Sequence, residues 1–173
     1  MAAGLMAGLA GCSDQGTTTH SFVYAHDIPG HVQYAAANGP VPVAIFRDPF
    51  PNDPANAAVL AAMQHRNPGP PVTFVNATSA PGSGAYRVIV AFGTPRVAGC
   101  RAPAASAPAP EGTDVSAAFC TGDHLISEAW ASGGRIDTAE DPRFARLMQD
   151  LLSALMPYND PSLNNTGGSG GAM

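Results

Sequence analysis

The stretch Tyr86–Phe92 reads YRVIVAF, and it decides the fold class because every residue except Arg87 is apolar or aromatic. Such a run, rich in β-branched side chains, is typical of a strand that is buried on both faces. We therefore predict a central strand at this position, and the other elements are placed around it.

Further short runs on both sides of the central strand also predict strands, because they are rich in β-branched and aromatic residues. Pro42 lies in one of these runs and places it at a sheet edge or a strand start. A turn signal at Thr121-Gly122-Asp123 lies between two alternatives for the last strand. The predicted strands are Ser21–Tyr24 as a short addition, Val41–Phe46, Val72–Asn76, and either Ala117–Cys120 or the longer His124–Ser132.

Two helices are predicted by a shared start signal. Asp53-Pro54 and Asp141-Pro142 each place a capping carboxylate before a proline at the first helical position. The first helix is predicted over residues 54–65. The second is predicted to end before Pro157, and it carries an apolar stripe at helical spacing, which predicts packing on a sheet. The stripe consists of Phe144, Leu147, Met148, Leu151, Leu152 and Leu155.

The order of these elements predicts an α+β fold, a small and mostly antiparallel sheet with two helices on one face. A long loop rich in Pro and Ala runs from Gly93 to Ser116 and exceeds the usual length of an unstructured connection. This loop either covers the sheet or presents a binding surface, and the alternative is a tolerated insertion.

Composition excludes several classes of protein. The chain has 173 residues, of which 45% are hydrophobic, so a single domain with a real core is expected. Only 12% of the residues are charged, and the formal net charge is −5. All eight basic residues are Arg and are scattered along the chain, which argues against a nucleic-acid partner.

The first residues predict the compartment. Met1–Cys12 reads MAAGLMAGLAGC, an apolar and uncharged run that is too short to span a bilayer. Leu9-Ala10-Gly11-Cys12 resembles the lipobox of bacterial lipoproteins. The resemblance implies that Cys12 is lipidated, with acyl chains such as palmitate, and becomes the N-terminus. By similarity to enterobacterial lipoproteins, Ser13 implies sorting to the outer membrane, with the domain facing the periplasm.

Assigning Cys12 to the lipid leaves two cysteines, Cys100 and Cys120. In an oxidising periplasm we expect them to form a disulfide that staples the long loop. The alternative is a reactive Cys120 near Asp123 and His124, which would need an oriented base.

The chain is divided as follows: residues 1–11 are the end of a signal peptide, residues 12–20 a lipidated tether, residues 21–157 one α+β domain, and residues 158–173 a disordered Gly-rich tail.

Metal-ligating residue types are densest between His20 and His31, with His26 and Asp27 between them. His26 and His31 are the candidate ligands, but Pro29-Gly30 is expected to exclude a helix that would bring them together. We therefore predict a solvated segment with no metal and no cofactor.

No motif of a hydrolase, a metalloprotease, a P-loop or a dinucleotide-binding protein is present, so no catalytic residue is assigned and we expect a protein that is not an enzyme. Glu128 is expected to face solvent from a strand, near Trp130. The element order resembles that of small envelope lipoproteins in which a final strand carries a Trp, as Trp130 does here. This resemblance implies an envelope accessory role and transfers no site residues.

The resulting hypothesis is a non-enzymatic accessory or assembly subunit of an envelope complex, attached to the membrane by its lipid. Trp130, Arg96 and Arg101 are the candidate contacts with a protein partner. The alternative is a periplasmic lipoprotein that binds a small ligand or a metal.

Overall fold

The computed structural model describes residues 17–50, 56–78, 85–93, 99–101 and 113–158. These residues form six strands and three helices. In chain order they are β1 (Thr18–Val23), α1 (Ile28–Ala37), β2 (Val41–Phe46), α2 (Ala57–Met63), β3 (Phe74–Asn76), β4 (Tyr86–Phe92), β5 (Thr113–Thr121), β6 (His124–Gly133) and α3 (Pro142–Leu155).

The strands form one sheet in the order β1-β6-β5-β4-β2-β3. The pairings β1–β6, β6–β5 and β5–β4 are antiparallel. The pairings β4–β2 and β2–β3 are parallel. Helix α2 connects β2 to β3. The α+β class and the mostly antiparallel sheet are therefore confirmed.

The helices pack on one face of the sheet. Val43, Val88 and Val90 lie on this face, in a single apolar cluster with residues from all three helices. The six stripe residues of α3 are all buried, which confirms the predicted packing. Full burial of a side chain of this size contributes about 1.5–3 kcal/mol, so α3 is a major source of stability.

The opposite face of the sheet carries a smaller apolar cluster. Ile89, Ala91 and Ala118 lie there, packed with the disulfide residues Cys100 and Cys120. Strands β4 and β5 therefore contribute buried residues to both faces, as predicted for β4.

Helix α1 contradicts the prediction that Pro29-Gly30 would exclude a helix. Pro29 lies in the first turn of α1, where a missing N–H costs little because that N–H has no intrahelical acceptor. The Asp27 carboxylate accepts a hydrogen bond from the Gly30 N–H at 2.9 Å and caps the helix. The residues from Ile28 onward thus form a capped helix, and the prediction that Pro29-Gly30 interrupts a helix was wrong, whereas His20, His26 and Asp27 are exposed.

Helix α3 begins as predicted. Asp141 is its N-cap and accepts a hydrogen bond from the backbone N–H of Arg143 at 2.9 Å. The side chain of Arg143 also donates to this carboxylate, and these hydrogen bonds hold the pKa of Asp141 below its ordinary value. For α2, the predicted start at Asp53-Pro54 lies outside the described residues.

Several boundaries differ from the predictions. Strand β5 begins at Thr113, so the predicted loop is wrong over its last residues, Thr113–Ser116. Both alternatives for the last strand are present, as β5 and β6, joined by a turn in which Gly122 has a φ of 54°. Strand β1 begins at Thr18, inside the stretch that we assigned to the tether. Cys12, Arg96 and residues 159–173 lie outside the described residues.

Candidate functional site

Aromatic side chains gather where β1 pairs with β6. The antiparallel register places His20 opposite Trp130 and Phe22 opposite Glu128, so these side chains share the sheet face that the helices leave. The rings of His20 and Trp130 stack with centroids 5.1 Å apart, and the centroids of Phe22 and Trp130 are 5.3 Å apart. We call His20, Phe22, Tyr24 and Trp130 the aromatic edge.

A carboxylate lies beneath the aromatic edge. Glu128 is 4% exposed, and the Tyr24 hydroxyl donates a hydrogen bond to its Oε1 at 3.0 Å. The expectation that Glu128 faces solvent was therefore wrong. Because a buried carboxylate requires hydrogen-bond donors, Glu128 positions the Tyr24 ring at the end of β1.

The end of β1 and the residue after it form a continuous exposed apolar segment, which includes two residues of the aromatic edge. Phe22, Val23 and Tyr24 are 46%, 53% and 52% exposed. Phe22 and Val23 point to opposite faces of β1, so the strand is accessible on both faces. Adjoining exposed apolar side chains mark surfaces for protein contact more often than isolated ones do.

The structure brings one of the predicted partner contacts to this surface. Trp130 is at its centre, opposite Ser116 of β5. Arg101 is exposed and follows Cys100, whose disulfide partner Cys120 is near the far end of β5. Arg101 lies outside the sheet, and its neighbour Cys100 is bonded to β5 four residues from Ser116, the residue opposite Trp130.

The disulfide itself is present between Cys100 and Cys120, with a Cα–Cα distance of 5.9 Å. Arg87 Nη2 donates hydrogen bonds to the Cys100 carbonyl at 2.8 Å and to the Asp123 carboxylate at 3.1 Å. The cation thus links the disulfide segment to the β5–β6 turn. The alternative of a reactive Cys120 thiol is wrong, because this sulfur is bonded to Cys100.

The histidines that we considered as metal ligands lie on different elements of the fold. His20 lies in β1, and His26 is exposed before α1. His31 lies in α1, where its Nδ1 is 2.8 Å from the Tyr86 hydroxyl. Among the described residues, no three His, Cys, Asp or Glu side chains form a group that could hold a metal ion.

A second aromatic cluster surrounds Tyr86 at the start of β4. Its ring stacks on Phe119 at 5.5 Å and meets the rings of Tyr34 and His31 at 5.8 Å. Burial, and to a smaller extent the nearby Tyr34, raise the pKa of Tyr86 above its ordinary value. The phenol therefore stays neutral, and Tyr86 acts as a partly buried hydrogen-bonding residue between α1 and the sheet.

Sequence reasoning missed most of the aromatic edge. His20 was assigned to a solvated segment, and Phe22 and Tyr24 were noted only as part of a short strand. The available signal was the TTHSFV run, which is rich in β-branched and aromatic residues. Its pairing partner lies more than 100 residues away along the chain, so sequence pattern could not place Trp130 against it.

Among the described residues, no helix combines the length and the apolarity that crossing a bilayer requires.

Comparison with known proteins found no matching family model and no matching curated protein. Similar solved structures include the PelC dodecamer from Paraburkholderia phytofirmans, with 12% identity, a TM-score of 0.46, and coverage of 82% of this chain and 99% of that chain. A single-substitution variant of that PelC dodecamer has 12% identity, a TM-score of 0.43, and coverage of 82% and 98%. These identities and TM-scores are low, and we infer nothing about this chain from them.

Proposed function

We propose that this chain is a bacterial envelope lipoprotein, anchored in the outer membrane through Cys12 and facing the periplasm. It acts as a non-enzymatic accessory or assembly subunit of an envelope complex. The observation that carries the proposal is the aromatic edge, a group of aromatic side chains, two of them about half exposed, at the border of a disulfide-bonded domain.

Two features support the envelope location. The Cys100–Cys120 disulfide suits an oxidising compartment such as the periplasm. The similarity of residues 9–12 to a lipobox supports lipidation of Cys12. Thr18 is the sixth residue after Cys12, so a tether of at most about 20 Å would hold the domain close to the bilayer.

The chemistry of the aromatic edge supports contact with a protein. The polar groups Tyr24 and Glu128 hydrogen-bond to each other, and the rings around them offer apolar area. Aromatic side chains with a polar tip are enriched at protein interfaces. Trp130 is the proposed centre of the contact, and Arg96 and Arg101 remain the proposed cationic contacts.

Membrane attachment is tested by the Cys12→Ser variant. We expect the native chain to stay with washed outer membranes and Cys12→Ser to appear in the periplasmic fraction, because the variant lacks the thiol that takes the lipid. Ser13→Ala, which keeps that thiol, is the control and should stay with the membranes. Retention of Cys12→Ser on membranes after salt washing would contradict the lipid anchor.

The assembly role is tested by photo-crosslinking in the native host. A photoreactive side chain at position 22, in the aromatic edge, should trap one or a few envelope proteins in fixed ratio. The same group at Gln149, an exposed position on α3, is the matched control and should not. Equal labelling from both positions, or no envelope protein of different sequence at position 22, would contradict the assembly role.

A further inference from the structure

The outer side of β1 has backbone groups that are positioned to pair. The N–H groups of Tyr24 and Ala25 both donate to the Ile126 carbonyl, at 3.0 and 3.1 Å. Tyr24 lies opposite Ile126 when the β1–β6 register is continued, so Phe22, His20 and Thr18, which alternate with it, direct their backbone groups toward β6. The N–H and C=O groups of Thr19, Ser21 and Val23 therefore point away from the sheet. In the described part of the chain, no strand lies on that side of β1.

This edge lacks the features that prevent strand pairing. Its sequence is TTHSFV, which contains no Lys, no Pro and no carboxylate. Natural sheets protect exposed edges with charged residues, prolines or bulges, and β1 pairs with β6 without a register shift. An accessible edge of β-branched and aromatic residues is a template for a further strand.

We infer that the further strand is β1 of a second copy of this chain, antiparallel to the first about a two-fold axis at Ser21. In this register Ser21 lies opposite Ser21 of the second copy, and Thr19 lies opposite Val23. Each of these pairs exchanges two N–H···O bonds, because all three residues direct their backbone groups outward. The two sheets become one continuous sheet.

The side chains are complementary in this register. On the sheet face that carries the aromatic edge, His20 lies opposite Phe22 of the second copy. The stack of His20 on Trp130 is therefore extended across the two-fold axis. On the other face, Thr19 meets Val23. No like charges face each other.

Two-fold axes at His20 and at Phe22 give the neighbouring registers in which outward-facing residues again pair with outward-facing residues. Each of them forms fewer hydrogen-bonded pairs within Thr18–Val23 than the axis at Ser21 does. The axis at Ser21 is therefore favoured. A self-complementary neutral edge fits a second copy, because the same surface must serve both sides of a two-fold interface.

Disulfide trapping tests the register. In full-length protein that carries Cys12→Ser, Ser21→Cys places two Cα atoms about 5.5 Å apart across the axis, which a disulfide can bridge. Thr19→Cys is the matched control, since its two copies lie about 14 Å apart, four residues along a strand. We expect a covalent dimer from Ser21→Cys and none from Thr19→Cys. Equal dimer from both variants, or none from either, would overturn the inference.

Sedimentation of the uncrosslinked protein tests the pairing itself. Ser21→Pro removes an outward N–H from each copy and leaves the bonds to β6 in place, so the dimer dissociation constant should rise at least about 30-fold. Ser21→Ala keeps the N–H and should leave that constant unchanged, and circular dichroism verifies the fold of both variants. All sedimentation samples carry Cys12→Ser. A Cys12→Ser chain with Ser21 intact that stays monomeric at about 100 µM, or a dimer that Ser21→Pro does not weaken, would refute the pairing. Neither experiment depends on the lipid, because Cys12 is replaced in both.

Discussion

Strands β5 and β1 are similar in residue type but differ in environment. Both contain Thr, Ser, Val and a phenylalanine, yet β5 is buried over most of its length and β1 is mostly exposed. β5 has β4 and β6 as neighbours, whereas β1 pairs with β6 alone among the described strands. Position in the sheet therefore distinguishes a strand that stabilises the domain from one that is available to a partner.

The largest effect is expected from removing a phenylalanine at each position. Phe119 of β5 is fully buried and packs on Tyr86, so Phe119→Ala should lower the free energy of unfolding by about 3–5 kcal/mol. Phe22→Ala in β1 should lower it by less than about 1 kcal/mol, because that ring is nearly half exposed. Urea unfolding measures both. Similar losses of unfolding free energy in the two variants would contradict the inferred difference between β5 and β1.

The next largest loss of stability is expected from removing the disulfide that joins Cys100 to Cys120 of β5. Replacing Cys100 and Cys120 together by Ser should lower the free energy of unfolding by about 3 kcal/mol, because the unfolded chain gains the freedom of a loop with a sequence separation of 20. Unfolding in guanidinium without reductant compares this variant with the native protein, and Cys12→Ser is the control. A double variant as stable as the control would show that the disulfide contributes nothing to the free energy of unfolding.

A smaller effect is expected where β1 is attached to β6. Tyr24→Phe removes the hydrogen bond to the buried Glu128 carboxylate and should lower the free energy of unfolding by about 1 kcal/mol. Tyr34→Phe, at an exposed hydroxyl on α1, is the matched control and should change it by less than about 0.5 kcal/mol. Thermal unfolding distinguishes the two. An equal loss of stability in the two variants would mean that the hydrogen bond from Tyr24 to Glu128 does not stabilise the end of β1.

The smallest effect depends on pH and concerns Tyr86 of β4, whose ring packs on Phe119 of β5. The pKa of Tyr86 is raised in the folded state by burial, so the neutral phenol stabilises the fold fully below the ordinary tyrosine pKa. That stability should be lost as the pH rises from the ordinary pKa through the folded pKa. Unfolding between about pH 9 and 11 should show the loss in the native protein and not in Tyr86→Phe. Tyr158→Phe, at a more exposed ring, should retain it, and the same pH dependence in Tyr86→Phe would contradict the assignment.

Local patterns were sufficient for several elements of the fold. Val41–Phe46 and Tyr86–Phe92 were predicted with the bounds that the structure has, because buried strands read as continuous apolar runs. The α3 stripe and its Asp141 cap were predicted because helical spacing and capping depend on residues within a few positions. Helix α1 was missed because Pro29 was interpreted as a helix breaker when it lies in the first turn.

The candidate site depended on contacts that sequence pattern does not contain. Trp130 was singled out from its sequence context, but its stacking on His20 follows from the pairing of β1 with β6. The burial of Glu128 likewise depends on the neighbours that surround it in the sheet. Such pairings join residues far apart along the chain, and no local signal specifies which strands become neighbours.

The α+β class and the apolar face of α3 follow from the sequence alone, since composition and periodicity are properties of the chain. The pairing of Cys100 with Cys120 was predicted only after the lipobox resemblance had set Cys12 aside, and the structure shows this disulfide. The position of Thr18–Val23 at the border of the sheet, with an aromatic surface, follows from the tertiary contacts. The physical reason is that a strand's hydrogen-bonding groups are the same wherever it lies, and its neighbours decide which of them are satisfied.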